Sequence, residues 1–336
     1  MNQRSTHKWS VMHVNEQLLQ WFNEHEGQFV SGQQLSQHFG ISRTAVWKRI
    51  KKLEKQGYQF ESVPKLGYRL IRKLLPLQVD WRKLQLQGNP FAREIHWLDR
   101  VDSTQTRAHQ AYIAGATEGT VILAEQQHAG RGRFGREWHS PPGTGIYMSL
   151  ILCPRIPLAQ ATHMTLLISV SLCRAIRKLT GANVTIKWPN DLLIKGYKIS
   201  GILVDTIAEA DQVKTMIAGI GISVNLDVED FPEPLRAKAT SLKIATGHTQ
   251  SREQLIISFF RQFEELYAVY LTKGFAPIRH LWEALTSTLQ SHVVVTTPQG
   301  QVAGLAEGIT ENGALRVRDQ QGQVHTLYSG DLAWSL

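Results

Sequence analysis

Three arginines and three glycines fall within seven residues, Gly130-Arg131-Gly132-Arg133-Phe134-Gly135-Arg136, shortly after an apolar run, Thr120-Val121-Ile122-Leu123-Ala124. Glycine lets a backbone take positive φ, and successive inward-facing N–H groups make a nest for anions. Arginine adds planar, permanently charged donors that grip carboxylate or phosphate. A loop of this composition suits holding two anions together. Further along, Lys187-Trp188-Pro189-Asn190-Asp191 brings a cation, an amide and a carboxylate within five residues. Such a set could place a phosphate beside a magnesium ion, with Asp191 as the metal ligand. A strand ending in a polar turn explains the same segment equally well. A third polar stretch, Asp99-Arg100-Val101-Asp102-Ser103-Thr104-Gln105-Thr106, has the composition of a strand-to-helix junction, where hydroxyls and free N–H groups could hold a ligand's polar head. Taken alone, Ser103 and Thr104 read as ordinary helix caps.

The glycines 130, 132 and 135 also satisfy G-x-G-x-x-G, which by itself is a weak dinucleotide signal. That motif needs a helix after it, and Ser140-Pro141-Pro142-Gly143-Thr144-Gly145 breaks one. No acidic residue closes a second strand about 20 residues on, where a ribose would require it. A dehydrogenase and a merely solvated basic loop are therefore the weaker readings.

These stretches need elements to position them. Glu94–Leu98 and the run from Thr120 read as strands, and Gly145–Cys153 alternates as a strand does. Leu158–Leu179 reads as one long helix. Pro189 forces a kink or an edge position on the strand beginning at Thr185. Gly196–Val204 reads as a turn and a second strand, giving a hairpin with Lys187 near one end and Lys198 near the other. Met216–Val224 is a further strand, ended by Asn225, and its Gly219 and Gly221 suit close approach of a backbone or a ligand. Residues 227–238 are polar and proline-containing. Leu77–Gln87 starts the central domain, and helices are expected at Val79–Leu86, Arg252–Thr272 and Pro277–Thr286. From His292 the pattern turns to four short strands, His292–Thr297, Val302–Ile309, Ala314–Arg318 and Val324–Tyr328, a small barrel-like module.

The chain of 336 residues has room for two or three domains and, at 42% hydrophobic and 19% charged, a globular composition. No apolar run approaches the ~18 residues of a membrane span, and the first residues lack an apolar signal core. The two cysteines, Cys153 and Cys173, have no metal or redox spacing, so a reducing cytoplasm fits. The formal charge of +9 is unevenly spread: residues 1–73 hold 12 Lys and Arg against 5 Asp and Glu. A basic small domain ahead of a near-neutral body suggests a nucleic-acid module. Within it, Asn15–His25 suits a short amphipathic helix. Ser31 can cap a helix over Gly32–His38, Gly40 makes a turn, and Ser42 can cap a third helix over Arg43–Gln56. Val46, Ile50 and Leu53 share one face of that third helix, while Arg43, Thr44, Trp47, Lys48, Lys51 and Lys52 share the other. Strands at Gln59–Val63 and Gly67–Ile71 then form a wing about Pro64-Lys65-Leu66. This is a helix-turn-helix arrangement. Arg43 and Thr44 would meet base edges or phosphate in the major groove, beside Trp47. Lys48 and Lys65 would contact phosphate. A winged helix used for protein contact is the rival.

The motifs Asp102-Ser103-Thr104, Gly130–Arg136, Lys187–Asp191 and Lys198-Ile199-Ser200-Gly201-Ile202 occur in the order seen in biotin protein ligases. With the winged helix in front, residues from about 14 to 336 resemble the bifunctional bacterial type that also represses the biotin operon. The resemblance implies an α+β, multidomain chain: a winged helix-turn-helix domain over 1–73 (helix-turn-helix about 32–51), a mixed-sheet α/β catalytic domain over 74–287, and an SH3-like β-barrel over 288–336. It implies attack of biotin's carboxylate on the α-phosphate of ATP, giving biotinyl-5′-AMP, then transfer to a lysine of the biotin carboxyl carrier protein of acetyl-CoA carboxylase. By the same resemblance Ser103, Thr104, Gln105, Gln127, Arg131, Gly132, Arg133, Lys198 and Gly201 form the biotin site. Arg133 and Lys198 face the carboxylate and acyl phosphate. Lys187, Asn190, Asp191 and Asn225 serve ATP and Mg²⁺, and residues 227–241 order over the adenylate. The family usually has Asn where this chain has Gln105, which puts the local hydrogen-bond geometry in doubt. The repressor role implies a homodimer with biotinyl-AMP on operator DNA, with Ile199–Ile207 as the candidate edge strand. An inactive biotin-sensing transcription factor, or a ligase for another acyl acid such as lipoate, are the alternatives.

Overall fold

A computed structural model of the chain describes residues 17–19, 21, 22, 25, 27–55, 58–72 and 88–335. The chain splits into two compact units, Met1–Gln78 and Val79–Leu336. The helix expected over Val79–Leu86, and parts of the one expected over Asn15–His25, lie outside the described residues.

In the first unit, helix α1 spans Gly32–Phe39 and α2 spans Arg43–Lys55. Ser31 opens α1 with a capping box: its Oγ accepts from Gln34 N at 3.1 Å, and Gln34 Oε1 accepts from Ser31 N at 2.9 Å. Gly40 ends the helix at φ 62°. Ser42 Oγ accepts from Ala45 N at 3.1 Å and starts α2. Leu35, Val46, Ile50 and Leu53 bury themselves with Leu18, Phe22, Val30 and Tyr58 in one core. Strands β1 (Gln59–Val63) and β2 (Gly67–Arg72) pair antiparallel as the wing. Gly67 has φ 110°, and a Cβ there would stand 2.2 Å from Val30 O, so only glycine lets the wing fold back onto Val30.

The second unit is built on a seven-stranded sheet. Its strands are β3 (Glu94–Val101), β4 (Thr120–Gln127), β5 (Gly145–Leu152), β6 (Val184–Lys187), β7 (Asp191–Ile194), β8 (Tyr197–Glu209) and β9 (Gln212–Ser223). The order is β3-β4-β5-β9-β8-β7-β6, parallel only between β3 and β4. Helix α3 (Thr104–Ile113) lies against β4 and β5. The rest of the helical layer is α4 (Thr162–Thr180), which packs on the 22-residue α7 (Arg252–Lys273) and on α8 (Ala276–Leu285). Between them in sequence come two short helices, α5 (Glu233–Arg236) and α6 (Leu242–Thr246). Every residue of β5 is buried, as expected of a central strand covered on both faces.

Three expectations need correction here. The long helix begins only at Thr162, because Leu158–Gln160 form a separate 3₁₀ turn. Residues 184–194 are not one strand kinked by proline. They form a complete hairpin whose turn carries a cis Trp188–Pro189 peptide, so Lys187 faces Asp191 rather than the Lys198 strand. The candidate edge strand is covered at its start: β7 pairs with Tyr197–Gly201, and Asn190 takes both the N–H and the carbonyl of Ile202. Among the described residues, β8 is an edge only beyond that point.

The C-terminal strands are β10 (His292–Thr297), β11 (Gly300–Ile309), β12 (Leu315–Arg318), β13 (Val324–Leu327) and β14 (Asp331–Trp334). They form one antiparallel sheet ordered β13-β12-β11-β10-β14. The fifth strand, β14, is absent from the sequence reading.

Candidate functional site

The glycine–arginine loop closes on itself. Trp138 N donates to Gly130 O at 2.9 Å and Gly132 N to Arg136 O at 2.7 Å, with a tight turn at Arg133–Gly135 where Phe134 has φ 56° and Gly135 φ 73°. His128 N and Ala129 N reach back to Val101 O and Asp102 O. The loop is thereby fixed beside the start of α3, where Ser103 caps Gln105 N at 3.2 Å.

Together these segments bound a cleft of about 770 Å³. Ser103, Thr104, Gln105, Gln127, Arg131, Gly132, Arg133, Lys187, Asn190, Asp191, Lys198 and Gly201 all line it. Asn225 does not. Its Nδ2 donates to Gln250 O and its Oδ1 accepts from Gln250 N, at 2.9 and 2.8 Å, so its amide holds a loop instead of facing a nucleotide.

One end of the cleft is polar and neutral. Gln127 Oε1 accepts from Thr104 N (2.7 Å) and Thr104 Oγ1 (3.1 Å), while its Nε2 donates to Ser140 Oγ (2.9 Å). Gln105 is 2% exposed, and its amide is spent internally: Nε2 donates to Ile217 O at 2.9 Å and Oε1 accepts from Ser149 at 3.1 Å. Gln105 therefore shapes the floor.

The middle is apolar. The Trp138 indole lies across Gly201 and Gly221, which are register partners on β8 and β9. A Cβ at Gly221 would stand 2.4 Å from the ring and one at Gly201 3.1 Å.

The other end is cationic. Arg133 Nη1 donates to Asn190 Oδ1 and to Gly330 O, both at 3.2 Å. Lys198 Nζ meets Asp191 Oδ1 at 2.7 Å and stands 5.5 Å from the Trp138 ring centroid. Lys187 Nζ lies 4.9 Å from the Trp334 ring centroid. Burial pushes both Arg133 and Lys187 below their usual values, and the charges of Asp191 and Asp331 pull them back up. The Asp331 carboxyl is held low, chiefly by hydrogen bonds from Arg136. Partly desolvated cations of this kind are stabilised further by an incoming anion.

Sequence reasoning missed one contributor. Strand β14 and the residue before it bring Gly330 O, Asp331 and Trp334 against the cations. Residues 231–240, within the 227–241 stretch expected over the adenylate, close another side: Phe231, Leu235 and Lys238 line the cleft. That segment is pinned by Lys198 N donating to Lys238 O, by Thr240 N donating to Lys198 O, and by a His139 Nε2 contact to Asp230 O at 2.8 Å.

In the first unit Arg43, Thr44, Trp47 and Lys48 are all exposed along α2, and Lys65 is exposed at the wing tip. Arg43 Nη2 donates to Gln33 Oε1 at 2.6 Å.

Three family models match the chain. Residues 97–225 match the Biotin/lipoate A/B protein ligase family, 15–69 an HTH domain and 288–332 the Biotin protein ligase C terminal domain. The chain is 41% identical to the Bifunctional ligase/repressor BirA of Bacillus spizizenii, covering 95% of this chain and 98% of that one. It is 29% identical to the protein of that name from Escherichia coli, covering 91% and 93%. Its fold is similar to the biotin protein ligase from Aquifex aeolicus in complex with biotin and ATP, with TM-score 0.63 at 28% identity, covering 72% of this chain and 100% of that one. The chain belongs to the family of bifunctional biotin protein ligases and repressors.

Proposed function

We propose that the chain joins biotin to a lysine of a biotin carboxyl carrier protein at the expense of ATP, and that it represses biotin genes through its winged helix. The single observation that carries the reading is the convergence of Arg133, Lys187 and Lys198 on one cleft whose far end is neutral and polar. A carboxylate and a triphosphate repel each other. Fixed cations between them offset that repulsion and the charge that grows on phosphorus. A carboxylate oxygen of biotin attacks the α-phosphorus and pyrophosphate leaves. The amine of the carrier lysine then attacks the acyl carbon, and AMP leaves. No side chain needs to act as nucleophile, and positioning supplies much of the rate.

Among the described residues no cluster of three or more His, Cys, Asp or Glu forms a cation cage. Asp191 and Asp331 nevertheless line the cationic end, and one or two carboxylates plus phosphate oxygens are what magnesium takes. Magnesium would neutralise the phosphates it arrives with.

The direct test is to incubate the protein with biotin, ATP, magnesium and a carrier domain and to look for a biotin mass on the carrier lysine. An unlabelled carrier overturns the reading. In an Arg133→Ala variant the clamp between Asn190 and Gly330 is gone. Adenylate should then form poorly or escape before transfer, seen as fewer labelled carriers per pyrophosphate released.

For repression, the proposal is that biotinyl-AMP promotes pairing of two copies through the free part of β8, so that two wings read a two-fold operator. Sedimentation should show stronger self-association with biotinyl-AMP. Operator binding should weaken steeply with salt, because phosphate contacts release counterions. Flat salt dependence would favour a protein-binding wing. No helix among the described residues is long and apolar enough to cross a membrane, and cytoplasmic action beside DNA and carrier is part of the proposal.

A further inference from the structure

The helix-turn-helix contains a side-chain contact that neither its core nor the ligase reaction accounts for. Arg43 Nη2 donates to Gln33 Oε1 at 2.6 Å, and both side chains are exposed. Gln33 stands in the first turn of α1, and Arg43 opens α2. The backbone under each is fixed. Val30 exchanges N–H and carbonyl with Tyr68 on the wing, both at 2.8 Å, and the capping box at Ser31 starts α1 directly after it. Leu35 and Val46, two and three residues further along their helices, are buried in the shared core. The two side chains therefore meet on a rigid frame.

The donors left over can be assigned from the partners. Arginine can only donate, so the Gln33 atom facing it must be the amide oxygen, and Nε2 is the atom with N–H groups to offer elsewhere. On Arg43 one N–H is engaged, and enough remain on Nη1 and Nη2 to meet O6 and N7 of a guanine together. The first residues of the second helix are the ones that reach base edges in this motif. Charge bears on the choice of partner. Arg43 sits at the start of α2, where the helix dipole disfavours a cation, and neither helix has an acidic residue in its first turn. A neutral amide steadies the guanidinium there without neutralising it.

We propose that Gln33 is a positioning residue for operator recognition: its amide oxygen aims the Arg43 guanidinium at a guanine, while its amide N–H donates to a phosphate beside that base. The proposal rests on the repressor reading. Phosphate contacts set a protein's register on the duplex, and base contacts carry the sequence. Gln33 joins the two, so Arg43 meets its base only when the backbone is seated. A carboxylate in its place would still hold Arg43 but would repel the phosphate. A short apolar residue would release Arg43 to swing to the nearest phosphate and give up the base.

The experiment selects duplexes from a random-sequence pool on the full chain, with biotin, ATP and magnesium present, and sequences what is retained. Wild type should enrich a two-fold site with a guanine in each half that Arg43→Ala no longer enriches. At that position the preference for guanine should fall about tenfold in Gln33→Ala, within the discrimination that one bidentate pair supplies, while preferences at other positions stay as they were. Gln33→Glu should keep the guanine preference and bind every sequence about tenfold more weakly, because a charged-group hydrogen bond is lost. A guanine preference unchanged in Gln33→Ala overturns the proposal. So does an equal loss at all positions, the mark of a merely structural glutamine, and so does loss of an adenine preference instead, which would mean that Gln33 reads a base itself. A wild-type site with no guanine that depends on Arg43 sinks this inference alone. A wild type that enriches no sequence sinks the repressor reading as well.

Discussion

Replacing Lys187 with methionine should lower pyrophosphate release at saturating biotin and ATP by about 10²–10³-fold, the usual loss on removing one fixed group aimed at developing transition-state charge. Methionine retains a long apolar stem that can still cover Trp334, so the change is mainly one of charge. Lys187 sits under a tryptophan ring with its ammonium pushed down by burial. Holding that charge is a cost in the empty protein, because partly desolvated ions give up hydration. The thermal midpoint of Lys187→Met should accordingly stay level or rise while the rate collapses. That opposition of stability and activity marks a residue kept for its chemistry. Lys198 makes a useful contrast: its ammonium already has Asp191 at 2.7 Å, so removing it takes away that carboxylate's ion-pair contact and should lower the midpoint. A Lys187→Met enzyme within threefold of wild type would remove Lys187 from the phosphate site.

The residues that could be read ahead of the structure are those whose chemistry is local. Caps at Ser31 and Ser42, the glycine at the end of α1, and the apolar face of α2 depend on neighbours three or four positions away, and all stand as expected. The glycine–arginine loop was legible because a run of cations and glycines has few other uses. The unread residues depend on tertiary placement. Ser149 lies in a strand whose every residue is buried, so the alternation read along Gly145–Cys153 does not single it out. Strand β14 is four residues, Asp-Leu-Ala-Trp, too short to carry a period, and its part in the site runs through a backbone carbonyl, Gly330 O, that any residue could supply. Asn225 was misplaced for the opposite reason. An amide just past an apolar strand looks ligand-facing, but the chain turns so that Gln250 takes it. The hairpin at 184–194 was misread because each arm is only four residues.

Gly221→Ala should raise the KM for biotin by about 10- to 100-fold in a protein that still folds. The new methyl would stand 2.4 Å from the Trp138 indole, closer than carbon atoms approach. The strand cannot yield, because β9 is bonded on one side to β5 and on the other to β8. The indole must move, and the sheet blocks it from below, so it swings into the cleft. Overpacking of this kind costs about 1–3 kcal/mol. Ligand binding competes with the displaced ring for the same space, so most of that cost appears in affinity, and about 1.4 kcal/mol is a factor of ten. Gly219→Ala tests the geometry two residues away on the same strand. Its methyl would meet Gln105 Oε1 at 2.5 Å, at the polar end, so it should weaken the Gln105 contact to Ser149 without moving the indole. If Gly221→Ala bound biotin as wild type does, the indole would not be the wall of the biotin site, and the apolar middle of the cleft would need a different occupant.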